Sequence, residues 1–147
     1  MSRLRMVVGK NMEDLLQASP GALDADTNVR QILIEQLTLR LFSIIGIVVA
    51  GCLGCQRFVE GLRGPLDRDS AAQLANDWRS LPLTAAETAA LGYAEKGTLD
   101  EASVRKRDVD DLRAAGFSDK DILLLATAIA YHNYSIRMAA AFDVVPR

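Results

Sequence analysis

Between Arg40 and Gln56 lies a stretch of fifteen uncharged residues, Leu41 to Cys55, relieved only by Ser43 and the glycines at 46, 51 and 54. A helix that is apolar on every side has to be covered on every side. A bilayer would cover it, but crossing one takes about twenty residues, and Arg40 and Arg57 stand at the ends of this run. The cover therefore comes from other elements of the protein or from other subunits, and Gly46 inside the run points to a close helix contact. The chain has 147 residues and is 50% hydrophobic. That is enough for one sizeable core and too short for two independent domains.

The rest of the chain points to helices. Alanine and leucine are abundant, whereas aromatics make up only 5%, a poor composition for a sheet. Near-helical spacing of Leu4, Val8, Met12, Leu15 and Leu16 predicts a helix over Ser2 to Ala18, ended by Ser19-Pro20-Gly21. A second helix is expected from about Thr27 to Ala50, ended by Gly51. A short one follows over Cys52 to Leu62, and another over Arg68 to Trp78. Thr84-x-x-Glu87 is a capping box that opens a helix over Ala85 to Glu95. Lys106 to Ala115 reads as a further short helix, with Gly116 suited to the left-handed position after it. Ser118-x-x-Asp121 opens the last helix, which runs to about Phe142. No strand alternation, repeat or low-complexity tract appears. The reading is an all-α bundle of seven helices or so in a single domain over residues 1–147.

Charge narrows the function classes. Seventeen basic and nineteen acidic residues leave a net charge of −2, with pI near 5.4, so there is no general affinity for nucleic acid or anionic membranes. The Arg105-Lys106-Arg107 run is balanced by Asp108, Asp110 and Asp111 and reads as solvated surface. The opening MSRLRMVVGK has neither a long apolar run nor a cleavage site, so a cytoplasmic protein is expected. No flavin, haem or nucleotide motif is present. One histidine and two cysteines rule out a four-ligand zinc site built from those residue types. An open three-ligand site of Cys52, Cys55 and His132 is the most they allow, and no metal is expected.

One motif carries chemistry. Gly51-Cys52-Leu53-Gly54-Cys55 places two sulfurs close enough to bridge. If Cys52 begins a helix, the unpaired N–H groups and the positive end of the dipole lower its pKa. The alternative is a pair of small buried hydrophobes.

Four segments go further: Asp77-Trp78-Arg79-Ser80-Leu81-Pro82-Leu83-Thr84, Tyr93-Ala94-Glu95-Lys96, Val109 to Asp119, and Ala130-Tyr131-His132-Asn133-Tyr134 with Arg137. Through them, Asn76 to Pro146 resembles the AhpD-like alkylhydroperoxidase family, which also contains carboxymuconolactone decarboxylases, and within it the peroxidase-related branch. Leu37 to Cys55 matches more loosely, and residues 1–30 diverge. The resemblance implies an all-α fold that assembles as trimers or hexamers, with a Cys-x-x-Cys beginning a helix. It implies Cys55 as the cysteine that attacks a hydroperoxide and Cys52 as the one that resolves the sulfenic acid to a disulfide. A partner protein or small thiol would then reduce that disulfide.

The chain departs from the family pattern at the proton relay. The family histidine four positions after the second cysteine is Val59 here, and position 58 is Phe58. The family glutamate twelve positions before the first cysteine is Arg40. Arg40 in that place would set a fixed positive charge beside the thiols; the alternative is a pair with Glu35 or Glu60, or a subunit interface. His132 would serve as a substitute base if it approached the cysteines across the bundle; the alternative is a packed core histidine. Glu60 is turned about 100° from the family histidine position. The candidate site is thus Cys55, Cys52, Arg40 and His132, in a thiol oxidoreductase acting on peroxides or disulfides. The competing readings are a degenerate family member acting as an oligomeric binding protein, and a decarboxylase-like use of the fold in which the cysteines are incidental.

Overall fold

The computed structural model describes residues 3–5 and 9–147, and it is built of helices around one central helix. In chain order these are α1 (Met12–Leu16), α2 (Ala22–Leu37), α3 (Leu39–Cys52), α4 (Val59–Leu62), α5 (Arg68–Asp77), α6 (Ala85–Leu99), α7 (Lys106–Ala114) and α8 (Asp119–Phe142). Among the described residues there is no strand beyond a single bridge between Asn11 and Val145. The all-α, one-domain expectation of seven helices or so holds, with eight α-helices among the described residues.

The apolar run forms α3, and every residue from Phe42 to Ala50 is buried. Its cover comes from α2, α5, α6 and α8 of the same chain. The all-round hydrophobicity therefore needs no second subunit to satisfy it. No single helix among the described residues is long and apolar enough to cross a membrane. At Gly46 α8 packs tightly on α3: a Cβ there would lie 2.5 Å from Cε1 of His132, inside van der Waals contact.

The capping signals are realised as written. In α6 the Thr84 hydroxyl accepts from the Glu87 N–H at 3.1 Å, and the Glu87 carboxylate accepts from the Thr84 N–H at 3.1 Å. Ser118 and Asp121 exchange the same pair of bonds at the start of α8. The first helix is shorter than expected. Of Ser2 to Ala18, only Met12–Leu16 is helical among the described residues, capped by the Asn11 side chain, while residues 1, 2 and 6–8 lie outside them.

The expected helix over Thr27 to Ala50 is two helices, bent by 116°. The bend is at Thr38, with φ 81° and ψ 149°. A β-branched residue at positive φ is strained. Thr38 recovers part of that cost as the N-cap of α3, its hydroxyl accepting from the Leu41 N–H at 3.2 Å. Glycine takes this backbone without strain and loses only a few tenths of a kcal/mol as a cap, against a strain of order 1–3 kcal/mol. Thr38→Gly is therefore expected to stabilise the fold by about 1 kcal/mol after the entropy glycine adds to the unfolded chain. Thr38→Ala keeps the strain, loses the cap and is expected to destabilise. Urea midpoints of both variants check this, and a glycine variant less stable than wild type would contradict it.

Candidate active site

The two cysteines sit at the end of a helix, not at its beginning. Cys52 is the last residue of α3, and the chain then closes the helix with a Schellman turn. Gly54 takes the left-handed conformation at φ 69°, its N–H donates to the Gly51 carbonyl at 3.1 Å, and the Cys55 N–H donates to the Ala50 carbonyl at 2.8 Å. Cys55 occupies the position whose side chain packs back on the helix in this motif, which is why it is only 8% exposed. Its thiol donates to the Leu53 carbonyl at 3.6 Å. Cys52 remains half-buried, and both cysteines are free thiols. The helix expected over Cys52 to Leu62 is instead a 3-10 turn over Gln56–Phe58 followed by α4.

Position at a helix end reverses the expected electrostatics. The C-terminal end of a helix carries the negative pole of its dipole and works against a thiolate. Burial pushes the Cys52 thiol up from its ordinary pKa, and the nearby Glu95 carboxylate pushes it the same way, while the Arg79 guanidinium pulls it down. The cation assisting Cys52 is thus Arg79, in the 3-10 turn Trp78–Ser80 after α5.

Arg79, Glu95 and Trp78 form one ordered cluster. Both Arg79 Nη atoms donate to the Glu95 carboxylate, at 3.0 and 2.9 Å, and Trp78 Nε1 donates to it at 2.9 Å. The guanidinium lies over the indole, 4.1 Å from its centroid. This paired, half-covered carboxylate is held below the usual range, chiefly by the Arg79 bond and then by Trp78. Backbone packing brings the cluster near Cys52. The Ala75 carbonyl, one turn before Trp78, occupies the space a Cβ at Gly51 would need. Trp78 in turn reaches to 3.9 Å of the Cβ position at Gly92, one turn before Glu95 on α6.

Arg40 and His132 stand apart from the thiols. Arg40 is at the opposite end of α3, twelve residues and about 18 Å along the axis from Cys52. It pairs with Glu87 of the α6 capping box, Nε to Oε1 2.7 Å, rather than with Glu35 or Glu60. It sets no charge beside the cysteines. His132 is 1% exposed and lies at the level of Phe42 and Gly46 on α3, the latter about 9 Å along the axis short of Cys52. Its Nε2–H donates to the Phe42 carbonyl at 2.8 Å, because a carbonyl can only accept. Burial lowers its pKa to about 4, so the ring is neutral. Glu60 points to Arg63 and Arg68, at 3.1 Å from each. The residues missed in the sequence reading are Arg79 and Glu95. Both lie in the segments that carried the resemblance, but sixteen residues and a helix break separate them, so no spacing rule joins them.

Solved structures place this architecture. An uncharacterised peroxidase-related protein from Silicibacter sp. TM1040 superposes with a TM-score of 0.76 at 26% identity, over 94% of this chain and 76% of that one. The fold is AhpD-like. A second structure, the alkylhydroperoxidase AhpD core of an uncharacterised peroxidase-related protein from Ralstonia eutropha JMP134, gives 0.69 at 23% identity, over 90% of this chain and 74% of that one. A third, a protein of unknown function from Agrobacterium tumefaciens and candidate AhpD antioxidant defence protein, gives 0.68 at 21% identity, over 100% and 99% of the two chains. No family model and no curated protein matches the sequence. The AhpD-like fold thus agrees with the resemblance carried by the C-terminal half.

Proposed function

We propose that this AhpD-like chain is a dithiol oxidoreductase that cycles Cys52 and Cys55 between two thiols and a disulfide while it reduces a hydroperoxide. The observation that carries the reading is the Schellman turn, which folds Cys55 back against the helix end that bears Cys52 and leaves Cys52 the more open of the two. Cys52 therefore meets the substrate, the reverse of the order that the resemblance implies. Its thiolate attacks one peroxide oxygen. An S–O bond forms, the O–O bond breaks, and the departing alkoxide takes up a proton to leave as the alcohol. The Cys55 thiol then attacks the sulfenic sulfur, forming the disulfide and releasing water. An external dithiol or small thiol restores both cysteines by exchange.

Thiol counting with one equivalent of cumene hydroperoxide tests it. Wild type is expected to lose two thiols. Cys55→Ser is expected to stop at a sulfenic acid on Cys52 that dimedone labels, and Cys52→Ser to lose none. Two thiols that persist in wild type would leave a degenerate member of the fold acting in binding. Dimedone on Cys55 in Cys52→Ser would restore the other order.

A further inference from the structure

We propose that the cleft between α1, α2 and the C-terminal segment binds the carboxylate of a small organic acid, held by Arg30 with its apolar tail against Val145 and Pro146. The site is separate from the cysteines and does not depend on the dithiol reading.

The walls of the cleft are fixed by the fold. The Met12 N–H donates to the Val145 carbonyl at 2.8 Å, and the Val145 N–H donates to the Lys10 carbonyl at 2.8 Å, which holds the C-terminal segment beside α1. From that segment Arg147 Nη1 donates to Asp26 on α2 at 2.9 Å. The space between them is about 360 Å³, and Asn11, Glu13, Arg30, Val145, Pro146 and Arg147 are among the residues around it. Arg30 is a cation without a counterion. Its guanidinium carbon lies 5.6 Å from the Phe42 ring centroid, and its Nε is buried with no acceptor. Among the described residues no carboxylate pairs with it, whereas Arg147 beside it has Asp26. A half-buried charge with no partner is unfavourable, and a carboxylate arriving at the open Nη edge relieves it through the planar fork.

Arg147 adds a second donor. Asp26 and Arg30 are four residues apart on α2, so they share a face one turn apart, and Arg147 is bonded to the first of them. Its Nη1 is spent on Asp26 and Thr27, but its Nη2 has only a 3.6 Å contact with Glu13. The Glu13 side chain is 57% exposed and stands at the rim, where it opposes an incoming anion without filling the cleft. The tail follows from the remaining wall. Val145 is 48% exposed, and with Pro146 it offers an apolar surface that an inorganic anion would leave in water.

Calorimetric titration with sodium hexanoate, against sodium chloride at matched ionic strength, tests the site. Wild type is expected to bind one equivalent saturably. Arg30→Gln is expected to weaken binding by about tenfold or more, the worth of one charge-assisted hydrogen bond. Arg30→Lys keeps the charge without the fork, so a several-fold loss is expected, and it decides the matter if circular dichroism shows the glutamine variant unfolded. Glu13→Gln removes the opposing charge from an exposed side chain and is expected to tighten binding by about threefold, a gain that a purely structural Arg30 would not produce. Inorganic phosphate, with no tail, is expected to bind more weakly than hexanoate. The inference is overturned if wild type shows no saturable hexanoate binding, or if a folded Arg30 variant keeps the wild-type affinity. Weaker binding in Glu13→Gln, or phosphate bound as tightly as hexanoate, would overturn it as well.

Discussion

Arg147→Ala is expected to destabilise the protein by about 3–5 kcal/mol, the cost of leaving one partner of a buried ion pair unmatched. The reason is Asp26, whose side chain is 1% exposed. Its Oδ2 accepts from Arg147 Nη1 at 2.9 Å and from the Tyr131 hydroxyl at 3.2 Å, whereas its Oδ1 has no partner. The same Arg147 nitrogen donates to the Thr27 hydroxyl at 2.8 Å, so it ties residue 147 to the first half of α2. Removing the guanidinium leaves a buried carboxylate whose one remaining donor among the described residues is the Tyr131 hydroxyl. Against a domain stability of about 5–15 kcal/mol, that loss is large. Asp26→Asn in the Arg147→Ala background removes the stranded charge and is expected to recover more than half of the loss. Urea denaturation of the four proteins in the cycle gives the coupling directly. A single-variant cost under about 1 kcal/mol would show that the pair is not buried as described.

Acidification is expected to destabilise the protein through His132 before the carboxylates titrate. The ring is fully buried, and its pKa falls from 6.5 to about 4 on folding. The unfolded chain therefore binds a proton that the folded chain refuses. Stability is complete above pH 6.5 and falls as the pH drops toward 4. The loss is about 2 kcal/mol by pH 5 and about 3 kcal/mol by pH 4. Glu87 and Glu95, both held below the usual range by their arginines, add to the loss once the pH falls below their ordinary value of 4.5. In His132→Gln the decline between pH 6.5 and 5 is expected to vanish, although the variant is less stable at pH 7.5 because it fills the space against Phe42 and Gly46 less well. Equal slopes in wild type and variant would mean that His132 is solvated in the folded state.

These two expectations involve partners 121 and 90 residues apart in the chain, and neither pair could be read from spacing. Other features were legible because their causes are local. Thr84-x-x-Glu87 and Ser118-x-x-Asp121 satisfy the orphan N–H groups of their own helices, so the sequence contains both halves of each bond. The charge-free run Leu41 to Cys55 demanded burial whatever covered it, and it became the central helix. An all-α chain with a Cys-x-x-Cys motif followed from the residues, whereas the relay positions were supplied only by the family resemblance.

The end of α3 shows where local reading stops. Gly51 and Gly54 are both plausible helix stops. Gly51 is helical, and it is glycine because the Ala75 carbonyl leaves no room for a side chain. Gly54 is the stop, at φ 69°. Only the packing of α5 against α3 distinguishes the two, and the choice moves Cys52 from the positive to the negative pole of a helix. Thr38 is similar: nothing in its neighbours announces a bend, and the turn persists because α2 and α3 each pack on α8. Composition and periodicity suffice for helix type and burial, since those depend on residues within a turn of each other. Which charge faces which sulfur depends on how separate helices meet, and that is settled by contacts between segments distant in the chain.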